Sequence, residues 1–354
     1  MKHDNAFDTL RLVAALIVIF GHAFRLTGET VPVFAGTTVA TLGVKIFFVV
    51  SGYLVAQSWL RDPHPRRFLQ RRLLRIVPAL VLVVVLTAFV LGPAATSLPL
   101  AGYLADQRTW LYLANLAFYP ADELPGVFAA NAAPHEVNGS LWSLPPELSM
   151  YLLLPLLAGV SLALSGAYRL FIIAACLVTL CGLLVVLPAP ELRAWTVYGT
   201  RVWAWFAVAP FFLFGACYAF CGWDRYLNRV VAAGLLALLT VMPGMAVVTE
   251  LMLILALPYA VLAFGTAAAP FGGALTRSGD YSYGLYLYAF PIQQALVAAG
   301  VPGGALGNFA LAALLAGGCA ILSWHLIERP ALRAKPAATN GRRAGAALEA
   351  ARAG

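Results

Sequence analysis

Charge is scarce in this chain: 11% of its 354 residues are Asp, Glu, Lys or Arg, while 62% are hydrophobic. The mean hydropathy is +0.84. Soluble domains carry about a quarter charged residues, so this composition excludes a soluble protein. A cleavable leader is missing too. Asp4 and Asp8 stand where a basic segment belongs, and no small-residue cleavage site follows the first apolar run. Cysteine is sparse, and Cys176, Cys181, Cys217, Cys221 and Cys319 all lie inside apolar stretches. There a thiol acts as a small hydrophobe, so neither a disulfide framework nor a metal is expected. No internal repeat is visible, and the segments outside the apolar runs are too short for a soluble catalytic domain.

What is abundant is apolar length. A transmembrane helix needs about 20 such residues, and ten runs qualify: 7–25, 43–60, 77–92, 142–164, 169–187, 202–221, 229–243, 247–268, 281–299 and 305–326. The expected fold is an all-α, polytopic integral membrane helix bundle over residues 1–332. Residues 333–354, rich in Ala, Gly and Arg, read as a disordered basic tail near anionic lipid.

Arginine sorts to one side. Alternate connections hold Arg61, Arg66, Arg67, Arg71, Arg72 and Arg75, then Arg169, then Arg225 and Arg229, then Arg277, with more in the tail. The long segment 93–140 instead holds Asp106, Asp122, Glu123 and Glu136 against Arg108 alone. The positive-inside rule then puts both termini in the cytoplasm. The net charge of +8 is thus a topology signal, and a nucleic-acid partner is not called for.

The few ions inside the spans carry the functional reading. Arg11 and His22 are eleven residues apart on the first helix, about three turns with 20° left over, so they share a face with a rise of about 16 Å. Ionisable groups in a span normally face a cavity or a partner. The alternative is a snorkelling Arg11 and a His22 that caps the outer helix end. Lys45 lies near the outer end of the second span, and Ser51-Gly52 at mid-depth permits close helix approach. Arg67, Arg71 and Arg75 recur at i, i+4, i+8, which suits either an amphipathic helix on anionic lipid or a socket for a polyanion such as a nucleotide phosphate. Their location at Arg11's end of the bundle favours the socket.

In "NGSLWSLPPELSMYLLLPLL" Asn138 or Ser140 can cap, Pro145 and Pro146 suit a first turn, and Glu147 follows within the apolar run. Glu147 either caps its own helix or pairs with His22 at similar depth, orienting it as a general base. Asp280 reads as an N-cap or a ligand, and the tyrosines after it as an interfacial belt. His3, His64, His135 and His325 read as surface residues.

These residues resemble the membrane-bound acyltransferase family 3. The resemblance covers Phe7 to about Leu332 and rests on "FDTLRLVAALIVIFGH", "KIFFVVSGYLV", "RRFLQRRLLRIVP", "VNGSLWSLPPELSMYLLLPLL", "DYSYGLYLYAFP" and "WHLIERP", in that order. It implies acetyl transfer from cytoplasmic acetyl-CoA to a hydroxyl of an extracytoplasmic or lipid-linked carbohydrate, in a bacterial inner membrane. By that analogy Arg11, Arg71, Arg72 and Arg75 hold the CoA, and His22 is catalytic with Glu147 in support. Many members have a histidine before the proline of the ninth helix, where Ala289 and Phe290 stand here. The C-terminal esterase domain that some members carry is also missing. The rival reading is a transporter or flippase, which also needs ten spans and intramembrane ions but often shows repeated halves.

Overall fold

The computed structural model describes residues 6–164, 169–241, 246–266 and 279–335. Among them ten helices of 13 residues or more follow the apolar runs. They are α1 (Phe7–Leu26), α2 (Val39–Arg61), α3 (Pro65–Leu86), α4 (Leu144–Leu164) and α5 (Arg169–Cys181). The second five are α6 (Val202–Cys221), α7 (Arg229–Val241), α8 (Ala246–Gly265), α9 (Ser282–Ala298) and α10 (Gly304–Ser323). The described strands are two tiny hairpins at 33–38 and 196–201. Seven of the helical segments are long and apolar enough to cross a membrane, and Leu170–Val186 and Arg229–Val241 are apolar but shorter. The polytopic helix bundle expected from the sequence is therefore what forms. Arg277 and the tail from residue 336 onward lie outside the described residues.

α1 sits in the middle, packed against α2, α9 and α10, and α2 in turn packs closely against α6. The α2–α6 contact is made backbone to backbone. A Cβ on Gly52 would lie 2.0 Å from the Phe212 carbonyl oxygen, and one on Gly215 2.4 Å from that of Val49. Lipid is as apolar as leucine, so association depends on close van der Waals approach, which small residues permit. Across the same region Lys45, 2% exposed, donates to both oxygens of Glu250 on α8 at 2.7 and 2.9 Å. Its ammonium also lies 4.9 Å from the centroid of the Phe211 ring.

The arginine-bearing segment is not a separate surface helix. α3 starts with Pro65 in its first turn, runs through Pro78, and continues across a π-helical turn at Thr87–Leu91 to Ala95. Proline at residue 78 removes a ladder hydrogen bond, but neighbouring helices tolerate such breaks in membrane proteins. Arg67, Arg71 and Arg75 are thereby fixed to a membrane helix.

The segment before α4 also departs from expectation. It does not stay at the outer ends of the helices; residues 131–143 descend along α9. Asn131 Nδ2 donates to the Gln294 carbonyl and Oε1 at 2.9 and 2.8 Å. Gln294 Nε2 donates to the carbonyls of Ala133 and Glu136 at 2.9 and 2.6 Å. Lower down, Asn138 Nδ2 donates to the Leu287 carbonyl at 3.0 Å, and the Tyr286 hydroxyl to the Ser140 carbonyl at 2.7 Å. Gln294 to Tyr286 is about 12 Å of helix rise. Non-helical backbone at membrane depth survives only where protein meets its polar groups, and these amides do so. In consequence α4 begins well inside the bundle.

Candidate active site

Arg11 and His22 do share a face of α1, and it is turned toward α9. At one end, Arg11 Nη1 donates to Asp280 Oδ2 at 3.0 Å, and Arg75 Nη2 of α3 donates to the same oxygen. Asp280 Oδ1 accepts from the backbone N–H and the hydroxyl of Ser282 at 3.2 and 2.5 Å. Asp280 thus stands one residue before the N-cap position, Tyr281, accepts from the first N–H of α9, and joins α1 to α3 through its two arginines. We call this the arginine end.

A cleft of about 1200 Å³, open mouth included, rises from it. On α2 it is lined by Arg61, Leu54, Ser51, Phe47 and Val44, one helix face covering 18 residues, or about 25 Å of rise. Arg61, Arg72 and Lys335 line it as well, and among the described residues none of the three has a carboxylate within 4.0 Å. Arg72 Nη2 donates to Ser58 Oγ at 3.4 Å, while its Nε is buried with no hydrogen-bond partner. Burial first, and then the neighbouring arginines led by Arg75, lower Lys335 to about 8. The mouth is thus strongly electropositive.

Arg71 does not line this cleft. It is 9% exposed and donates to Asp62 Oδ2 at 2.6 Å, while Arg67 holds the same carboxylate at 2.6 and 3.0 Å. Asp62 lies in the short link between α2 and α3. The Arg67 hydrogen bond, followed by those from Arg71, lowers its carboxyl to about 2. A depressed carboxylate contributes stability above its unfolded value and loses it as pH falls through the folded one. This clamp is therefore intact above about pH 4 and opens only toward pH 2. The four arginines proposed from the sequence separate accordingly: Arg72 faces the cleft without a carboxylate, Arg11 and Arg75 face it while sharing Asp280, and Arg71 serves the α2–α3 link.

Glu147 is on the cleft wall. It accepts a hydrogen bond from the Tyr151 hydroxyl, which lies 3.2 Å from Ser51 Oγ. Among the described residues no hydrogen bond joins Glu147 to His22. The descent of residues 131–143 explains this. Ser143 Oγ is 2.7 Å from the Tyr286 hydroxyl, so Glu147, one turn further along α4, lies level with the first turn of α9. His22 instead meets Phe290, ring centroids 5.0 Å apart and 79° between planes. The two residues thus differ in depth by roughly seven residues of α9, about 10 Å.

His22 is 9% exposed and lies just beyond the cleft. On α9 the cleft ends at Tyr286, whose ring meets Phe47 at 5.7 Å, one turn short of Phe290, or about 6 Å. The residues that sequence reasoning missed are Arg61, Lys335, Tyr151, Asp62 and Glu250. Tyr151 had a legible signal, four residues after Glu147 on one helix face; the others depend on tertiary placement. Among the described residues no three His, Cys, Asp or Glu side chains gather as a metal site.

The sequence model of the acyltransferase domain of acyltransferase family 3 matches residues 4–328. The chain is 28% identical over 334 residues to an O-acetyl transferase of Shigella phage Sf6, covering 93% of this chain and 96% of the relative. It is 29% identical to Nodulation protein 10 of Rhizobium leguminosarum bv. viciae, covering 94% of each. Over 44% of its length it is 28% identical to the peptidoglycan O-acetyltransferase OatA of Listeria monocytogenes, of which it covers 24%. No solved structure matches the chain. With the family's sequence pattern covering nearly the whole bundle, the chain belongs to acyltransferase family 3 and is a membrane-embedded O-acyltransferase.

Proposed function

We propose that the protein moves an acetyl group from acetyl-CoA, taken up at the arginine end from the cytoplasm, to a hydroxyl of an extracytoplasmic or lipid-linked carbohydrate. In this reading it resides in a bacterial inner membrane with both termini in the cytoplasm, and His22 is the catalytic base. The observation that carries the reading is the cleft, with three cations at one end that have no carboxylate among the described residues, and His22 one helical turn beyond the other.

The residues fit the donor. CoA presents phosphates, and guanidinium groups bind phosphate through paired charge-assisted hydrogen bonds. Arg72, with its orphaned Nε, together with Arg61 and Lys335, would hold that charge, and Arg11 and Arg75 have donors in excess of what Asp280 accepts. The apolar wall formed by Phe47, Phe48 and Val44 suits the uncharged arm. At the far end His22 takes the proton of the acceptor hydroxyl as its oxygen bonds the acyl carbon. The carbon–sulfur bond breaks, and the proton passes to the leaving sulfur, so ester and thiol are the products. A carbohydrate acceptor is supported by the names of relatives that act as O-acetyltransferases, one of them on peptidoglycan.

Equilibrium binding of labelled acetyl-CoA to the purified protein tests the donor half without an acceptor. Arg72→Ala is expected to weaken binding by roughly 10- to 100-fold, the loss of about 1.5 to 3 kcal/mol for an ionic contact. Arg71→Lys, which alters the Asp62 clamp, is expected to stay within about threefold. Equal binding by wild type, Arg72→Ala, Arg61→Ala and Lys335→Ala would place the donor elsewhere.

A further inference from the structure

The contact found for Glu147 leaves His22 without the carboxylate that an imidazole base ordinarily uses. Another carboxylate, that of Glu136, touches His22's neighbour Arg25 and lies by Gly139, which packs against Phe290, the ring that meets His22. Glu136, in the segment that descends along α9, has one oxygen engaged: Oε1 accepts from Arg25 Nη2 at 2.5 Å. Arg25 is three residues after His22 on α1 and so lies beside it on the same face. The other oxygen, Oε2, is buried and has no hydrogen-bond partner, although the side chain as a whole is 33% exposed.

Gly139 locates that oxygen. A Cβ on Gly139 would stand 3.0 Å from Glu136 Oε2 and 2.8 Å from Cζ of Phe290, the ring whose edge-to-face partner is His22. Both distances are shorter than van der Waals contact, so only glycine fits, and the backbone at residue 139 packs directly against the Phe290 ring and the unengaged carboxylate oxygen. A buried carboxylate oxygen without a donor is costly, and a neighbouring imidazole, itself without a hydrogen bond among the described residues, is the complementary group. The charged and titratable groups around His22 are Arg25 and Glu29 on α1 and the turn after it, and Asp122 and Glu136 from the long segment. Glu29 is occupied by the backbone N–H of Ala305 at 2.6 Å and by the Thr27 hydroxyl at 3.1 Å. The polar side chains that α9 and α10 bring nearby, Gln293, Gln294 and Asn308, are neutral.

We propose that Glu136 is the positioning carboxylate of His22. The proposal rests on the reading of His22 as the base. In it, Glu136 favours the imidazolium that forms when His22 takes the acceptor's proton, and Arg25 keeps the carboxylate from turning toward water.

Titration of His22 in the intact detergent-solubilised protein tests this without donor or acceptor. The readout is the ring-carbon resonance of labelled histidine, with His22 assigned by the signal lost in His22→Gln. Glu136→Gln is expected to lower the His22 midpoint by about one pH unit or more, the usual effect of removing an opposite charge at close range. Glu136→Asp is expected to keep it within about half a unit. Freed Arg25 could mimic the shift, so the same comparison is made in an Arg25→Gln background, where adding Glu136→Gln should lower the midpoint again. A midpoint indifferent to Glu136 in that background, or a ring that keeps one charge state in every variant, overturns the proposal. The base reading fails separately, if His22→Ala retains transfer.

Discussion

Replacing His22 with alanine is expected to lower acyl transfer by about 10²- to 10⁴-fold, the range for removing a positioned base, while acetyl-CoA binding and membrane insertion persist. The split follows from where the residue sits. His22 makes no hydrogen bond among the described residues and is beyond the cleft, one turn past Tyr286. Its loss therefore deletes a proton acceptor and leaves the arginine end untouched. The cavity left beside Phe290 costs some stability, but α1 stays anchored by Gly21 against Ala40 and by Gln293 Nε2 donating to the Ile19 carbonyl at 2.9 Å. The measurement is label from acetyl-CoA recovered as alkali-labile ester in cell-surface carbohydrate, from membranes with matched amounts of each protein. Retention of more than about a tenth of the wild-type rate would exclude His22 as the base.

The second large effect concerns stability. Glu250→Ala is expected to cost about 3 to 5 kcal/mol, because it leaves the ammonium of Lys45 buried without its counter-ion. Lys45 is 2% exposed and Glu250 16%, and their contact ties α2 to α8. Replacing both residues at once with methionine removes the charges together, and such replacements are often neutral. The single variant should therefore melt at a much lower temperature in detergent, and Lys45→Met with Glu250→Met should recover most of the loss. A Glu250→Ala protein that melts with the wild type would show that Lys45 is neutral or hydrated in the fold.

Hydropathy alone located the helices because a membrane span has to be apolar over its whole length. The run 202–221 coincides with α6, and 7–25 with α1 to within one residue. Pattern failed where the solvent is protein rather than lipid. Residues 131–143 are polar and read as an outer loop, yet Asn131, Asn138 and Gln294 satisfy that backbone inside the bundle, and nothing in the local composition predicts so distant a partner. Glu147 lies at a different depth from the one its sequence predicts for the same reason: its helix starts inside the bundle and not at the membrane surface. The Arg11–His22 face was legible because it depends on helix geometry alone. The arginines at residues 67, 71 and 75 share a helix face, but their separate partners, Asp62 and Asp280, are 5 and 205 residues away from their nearest arginine partners in sequence.

The descending segment also has a consequence for biogenesis. Its hydrogen bonds to α9 join residues 143 to 163 positions apart, and both arginine partners of Asp280 precede it by more than 200 residues. Spans emerge from the ribosome in order, so α1 to α8 must wait in the bilayer with those amides and guanidinium groups unmatched until the ninth helix arrives. A nascent chain halted before α9 therefore displays unpaired polar backbone and charge within lipid, the features by which quality-control proteases can recognise an unfinished membrane protein. The arrival of one late helix thus completes the candidate active site and ends that exposure in the same event.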